Sequence, residues 1–109
     1  MTATAMLDLH DGVVQSLAQR FREDGYDVIV EPSPDELPPA LRSFRPDLLA
    51  RRGSEGVIAE VKTRRPPSRK NWTTVERMAE ATRAMPGWRF ELTLITNPTP
   101  SMTQPNSSV

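Results

Sequence analysis

A chain of 109 residues is long enough for one domain with a single hydrophobic core and too short for two of ordinary size. It contains no Cys, which excludes a disulfide framework and a thiolate metal site. No apolar run approaches the roughly 20 residues of a membrane span and no signal-peptide pattern opens the chain, so a cytoplasmic protein with no membrane partner is expected. A net charge of zero excludes a histone-like binder held by bulk charge, yet residues 1–60 carry 11 acids against 6 bases and residues 61–109 carry 3 acids against 8 bases.

The prolines punctuate the chain, clustering in the loop 32–39, at Pro66 and Pro67, and in the tail 98–105. Residues 1–6 and the Pro/Ser/Thr-rich tail 98–109 have little to bury and are expected to be disordered, which leaves a domain of residues 7–97. Over residues 7–24 the apolar positions Val13, Val14, Leu17, Ala18 and Phe21 mark one face of a helix. Asp8 or Asp11 can cap it and Gly25 stops it. Residues 26–30, β-branched and aromatic, read as a strand closed by Glu31 and Pro32. Residues 32–42 read as a loop, with at most one helical turn over 38–44. Two apolar runs, 48–50 and 57–59, are joined by a Gly-punctuated turn and predict a hairpin of strands 47–50 and 56–62. Residues 71–85 place Val75, Met78, Ala79 and Thr82 on one face of a second helix, capped by Ser68 or Asn71 and ended by Pro86 and Gly87. Residues 88–96 alternate, with Trp88, Phe90, Leu92 and Leu94 on one face of a last strand.

The order α-β-β-β-α-β is that of an α/β domain. The first three strands pair as hairpins; the fourth returns through a helical crossover to lie parallel beside the third. A small mixed sheet flanked by a helix on each face is predicted.

The hairpin carries acids that hydrophobicity alone does not explain: Asp47 at the mouth of its first strand and Glu60 near the end of its second. Residues i and i+2 of a strand share a face about 6.6 Å apart, so Glu60 and Lys62 project together, while Val57, Ala59 and Val61 face the other way. Asp47 on the neighbouring strand brings a second carboxylate near Glu60. Two carboxylates at one site repel unless a cation lies between them, and Mg²⁺ is commonly held by one or two carboxylates with water and phosphate oxygens. An Asp/Glu-x-Lys triplet arises by chance about once per hundred residues, and a surface Glu60–Lys62 ion pair worth at most about 1 kcal/mol is the plain alternative. Two features weigh against it. The chain has 12 Arg and only 2 Lys, and the pair ends an apolar strand. Five of the nine residues 62–70 are basic, a patch suited to a phosphate backbone. His10, alone near the N-terminus, reads as solvated, Glu31 as facing water, Trp72 as packing the start of the second helix, and Trp88 and Phe90 as core.

Gly25-Tyr26 leading into a strand, then Arg-Pro-Asp-Leu-Leu-Ala and Val-Ile-Ala-Glu-Val-Lys-Thr-Arg, resembles the PD-(D/E)xK nuclease superfamily with its αβββαβ restriction-endonuclease-like core. Within it the chain is most similar to the small branch of archaeal Holliday junction resolvases. The resemblance implies a Mg²⁺- or Mn²⁺-dependent DNA endonuclease in which Asp47 and Glu60 are catalytic metal ligands, the Val61 carbonyl is a further ligand and Lys62 is the catalytic lysine. Arg64, Arg65, Arg69 and Lys70 are the candidates for holding DNA, and a homodimer is implied by likeness. One departure stands out. Such resolvases carry a Glu on the first helix about three turns before the Gly, whereas residues 12–16 here contain no acid; Gln15 offers a weak neutral ligand and Asp11 is the nearest acid. That gap motivates a second reading, a non-catalytic DNA- or protein-binding module of the same fold. A third, a small α/β interaction domain, predicts that Asp47, Glu60 and Lys62 are dispersed.

Overall fold

The first helix, α1 (Thr2–Glu23), ends where Gly25 takes a positive φ of 91°. The Tyr26 amide donates to the Phe21 carbonyl and the Gly25 amide to the Arg22 carbonyl, both at 3.0 Å, the paired bonds by which a left-handed residue caps a helix. Phe21 and Tyr26 meet edge to face across this cap, ring centroids 5.4 Å apart, so the turn that stops the helix also seals one end of the core. The computed structural model describes residues 2–63 and 69–95, with side chains described for residues 9–62 and 71–95.

After the cap come β1 (Asp27–Val30), two short 3₁₀ turns (Pro34–Glu36 and Pro39–Leu41), β2 (Leu48–Arg52), β3 (Glu55–Thr63), α2 (Arg69–Arg83) and β4 (Trp88–Ile95). The sheet order is β1-β2-β3-β4, with the first two pairings antiparallel and β3–β4 parallel. The predicted α/β architecture is thus the observed one. The predicted disordered stretch 1–6 is corrected in part: α1 begins at Thr2, so Asp8 and Asp11 lie within the helix and do not cap it. The hairpin turn is also shorter than predicted, because Arg52 pairs with Glu55 and leaves only Gly53 and Ser54 between the strands. α2 starts two residues earlier than expected. Residues 98–109 lie outside the described residues.

Alternation along β2 and β3 divides the core in two. Leu48, Ala50, Val57, Ala59 and Val61 face α1 and pack on Val14, Leu17, Ala18 and Phe21. Leu49 and Ile58 face the other way, onto Met78 of α2 and onto Leu37 and Leu41. Fully burying residues of this size stabilises the fold by about 1.5–3 kcal/mol each. Leu37 and Leu41 correct the reading of residues 32–42 as a plain loop: its two 3₁₀ turns insert two fully buried leucines under α2. The α2 face is as predicted, with Val75, Met78, Ala79 and Thr82 all buried. Thr82 is tolerated there because its hydroxyl donates to the Met78 carbonyl at 2.8 Å. Trp72 is half-buried and lines the groove between α2 and β4. Leu92 and Leu94 do not join the core; they share the face of Trp88 and Phe90 on the edge strand but stay 36% and 48% exposed.

Gly56 is where the hairpin meets β4. A β-carbon at this position would lie 2.3–2.4 Å from the six-membered ring of Trp88, which rests on the bare backbone while the Arg51 guanidinium covers the indole at 5.3 Å. Gly56→Ala must push the indole off its seat. We expect a loss of about 1–3 kcal/mol, measured as a lower urea midpoint with unchanged slope.

Candidate functional site

β2 and β3 are in register from Leu48 opposite Ala59 to Arg52 opposite Glu55. One step beyond, at the open end of the hairpin, Asp47 and Glu60 stand across from each other and side chains replace the ladder. The Asp47 amide donates to Glu60 Oε1 at 2.7 Å, and the Val61 amide donates to Asp47 Oδ2 at 2.7 Å. Each carboxylate is therefore fixed by the other strand's backbone. Lys62 Nζ lies 3.3 Å from Glu60 Oε2. The three side chains are gathered at one corner of the sheet, which excludes the dispersed arrangement.

Glu60 is only 3% exposed. Its carboxyl is pushed up to about 7, chiefly by burial and then by the Asp47 charge, with Lys62 and the Asp47 amide opposing the shift. A carboxyl pushed up by burial, and further by a neighbouring carboxylate, marks a site with too little positive charge for its anions.

α1 supplies a group that sequence reasoning set aside. His10 Nε2 lies 3.0 Å from the Val61 carbonyl oxygen and 3.5 Å from Asp47 Oδ2. The reading of His10 as solvated is corrected: the ring is 29% exposed and belongs to the site. The signal was present in the helical period, since His10, Val14, Leu17 and Phe21 fall at i, i+4, i+7 and i+11 of one face. Because α1 begins at Thr2, His10 stands well inside the helix and not at its first turn.

A cleft of about 400 Å³ opens over this corner, walled by His10, Asp11, Val14 and Gln15 of α1, by Val30 at the end of β1 and Glu31 after it, and by Asp47. Glu31, read as facing water, is exposed but lines this cleft. It has a positive φ of 53° and its amide donates to the Asp47 carbonyl at 2.9 Å; that bond extends the β1–β2 pairing by one residue and holds Asp47 in place. A second cleft, lined by Glu31, Pro32, Arg45, Pro46 and Asp47, brings the exposed Arg45 to the other side of Asp47. Of the predicted DNA contacts, Arg64 and Arg65 lie outside the described residues. Arg69 and Lys70 begin α2, and their side chains lie outside the described residues.

Among the described residues no three His, Asp or Glu side chains are close enough to enclose an ion unaided. The donor set nonetheless suits a hard or borderline divalent cation, because it includes a backbone carbonyl: Val61 O, the Asp47 carboxylate and His10 Nε2 converge, and the Glu60 carboxylate is bonded to the Asp47 amide beside them. Among the described residues no helix is long and apolar enough to cross a membrane.

No curated protein sequence matches the chain. The family model described as AHJR-like, REase_AHJR-like, matches residues 2–109, and restriction-endonuclease-like folds of this kind point to nuclease chemistry and typically depend on a divalent metal. Family match, αβββαβ topology and the carboxylate–lysine corner of the hairpin agree, and the chain belongs to the AHJR-like family of restriction-endonuclease-like proteins.

Proposed function

We propose that this protein is a divalent-metal-dependent DNA endonuclease that hydrolyses phosphodiester bonds, with branched, Holliday-junction-like DNA as its substrate class. The observation that carries this reading is the mutual fixing of Asp47, Glu60 and Lys62 at the open end of the hairpin. Asp47, Glu60 and the Val61 carbonyl would hold Mg²⁺ or Mn²⁺. A bound ion of that kind lowers the pKa of water and neutralises charge on phosphoryl oxygens.

The protein's own groups do the remaining work. The Val61 amide orients Asp47, and the Asp47 amide orients Glu60, so neither carboxylate must be ordered when DNA arrives. Lys62, about one-third exposed, can turn from Glu60 toward a scissile phosphate and offset the charge that develops on it. Arg45 flanks Asp47, and the basic residues Arg64, Arg65, Arg69 and Lys70, next in sequence after β3, are the candidates for holding the DNA backbone. The exposed Leu92 and Leu94 on β4, the edge strand among the described residues, would offer a surface through which a homodimer could present two such sites to a junction.

Incubating the protein with supercoiled plasmid and with a four-way junction, each with Mg²⁺ or Mn²⁺, tests the reading. Metal-dependent nicking that disappears in Asp47→Ala is expected. Cleavage that survives this substitution would remove Asp47 from the chemistry. Junction binding without cleavage under any metal would instead establish the non-catalytic module.

A further inference from the structure

His10 poses a question that the nuclease reading does not answer. Its Nε2 faces two oxygens, the Val61 carbonyl at 3.0 Å and Asp47 Oδ2 at 3.5 Å. The carbonyl can only accept, so in the bond shown the ring nitrogen carries the proton. Two neighbouring ligands of an octahedral ion with bonds of about 2.1 Å lie about 3 Å apart. The two separations from Nε2, to the carbonyl and to the carboxylate, are therefore close to the spacing of neighbouring ligands around one ion. Other features fit the same role. Asp47 Oδ2 is held by the Val61 amide, so the carboxylate and the carbonyl are both tied to one residue, Val61. His10 lies on the buried face of α1, locked by the helix that Val14, Leu17 and Phe21 pack against the sheet. On the other side of the ring, the exposed Asp11 carboxylate stands 3.8 Å from Nδ1.

We infer that His10 is a direct ligand of the divalent ion, and that it gives the site a preference for a first-row transition ion such as Mn²⁺ over Mg²⁺. The reason is ligand type. Mg²⁺ favours an all-oxygen shell and gains little from an imidazole, whereas transition ions accept nitrogen readily. The inference rests on the metal-dependent reading above and deepens it, because it assigns an α1 ligand where residues 12–16 provide no acid.

Metal-free full-length protein is titrated with Mn²⁺ and, separately, with Mg²⁺ by calorimetry, and the Mn²⁺ form is examined by pulsed electron paramagnetic resonance. Mn²⁺ is expected to bind at least tenfold more tightly than Mg²⁺, with ¹⁴N coupling from a bound imidazole. His10→Ala should lose that coupling and at least tenfold in Mn²⁺ affinity, while Mg²⁺ affinity changes less than threefold. His10→Glu, which offers oxygen from the same helical position, should narrow or reverse the preference, and it guards against an Ala variant that folds poorly. Mn²⁺ binding that requires Asp47 but shows no ¹⁴N coupling and ignores His10→Ala would overturn the inference and leave the nuclease reading intact. Absence of binding by either metal, with no cleavage, would overturn both.

Discussion

Lys62→Met is expected to lower the rate of metal-dependent DNA cleavage by about 10²–10³-fold, the cost of removing one group that stabilises developing charge. DNA affinity and thermal stability should change little. Lys62 sits in the rim of the site, 3.3 Å from Glu60 and one-third exposed, and Met keeps most of its aliphatic stem. Metal affinity measured by calorimetry should hold within a few-fold, because an ammonium is not a ligand. A Lys62→Met protein that cleaves at the parent rate would reduce this lysine to a structural counter-ion of Glu60. A loss of metal binding equal to the loss of cleavage would point to a role in ordering the carboxylates instead.

The second large effect concerns stability and pH. Glu60 has a folded-state pKa raised to about 7 from an ordinary 4.5. Between those values the folded protein keeps a proton that the unfolded chain has released, so stability falls as pH rises through the window. Below about pH 4.5 the contribution is absent, and above about pH 7 the full penalty is present. At 1.36 kcal/mol per unit the penalty is about 3 kcal/mol. Urea unfolding of the metal-free protein at pH 5 and pH 8 should therefore show the parent losing about 2–3 kcal/mol more than Glu60→Gln, in which the neutral amide keeps an acceptor for the Asp47 amide. Millimolar Mn²⁺ at pH 8 should restore the parent and not the variant. Equal pH dependence in the two proteins would mean that Glu60 is ionised without strain in the folded state. The same linkage predicts that metal affinity rises with pH toward 7, since binding must displace the Glu60 proton.

Much of the fold can be read from local pattern. The α1 stripe of Val14, Leu17, Ala18 and Phe21, the α2 stripe of Val75, Met78, Ala79 and Thr82, and the alternation of β3 each bury the residues their period marks. Gly25 stops α1 because a left-handed residue is needed there, and the strand pairing follows from short connections and a helical crossover. The errors fall where local pattern is silent. Leu37 and Leu41 lie among prolines and acids with no period to betray them, and their burial is decided by the space that α2 leaves above Leu49 and Ile58. Leu92 and Leu94 have the period of a buried face, yet they stay partly exposed on the edge strand, where period alone does not decide what covers a face.

The site divides in the same way. Period two along β3 sets Glu60 and Lys62 on one side of the strand, and an acid at the mouth of the adjacent strand is brought near them by hairpin register. These relations lie within about 15 residues of chain, and sequence alone determines them. His10 is 51 residues from Val61, and no local rule connects them. Only the packing of α1 across β3, set by volume and burial in the core, decides that the imidazole stands over the Val61 carbonyl and Asp47, and does not face water.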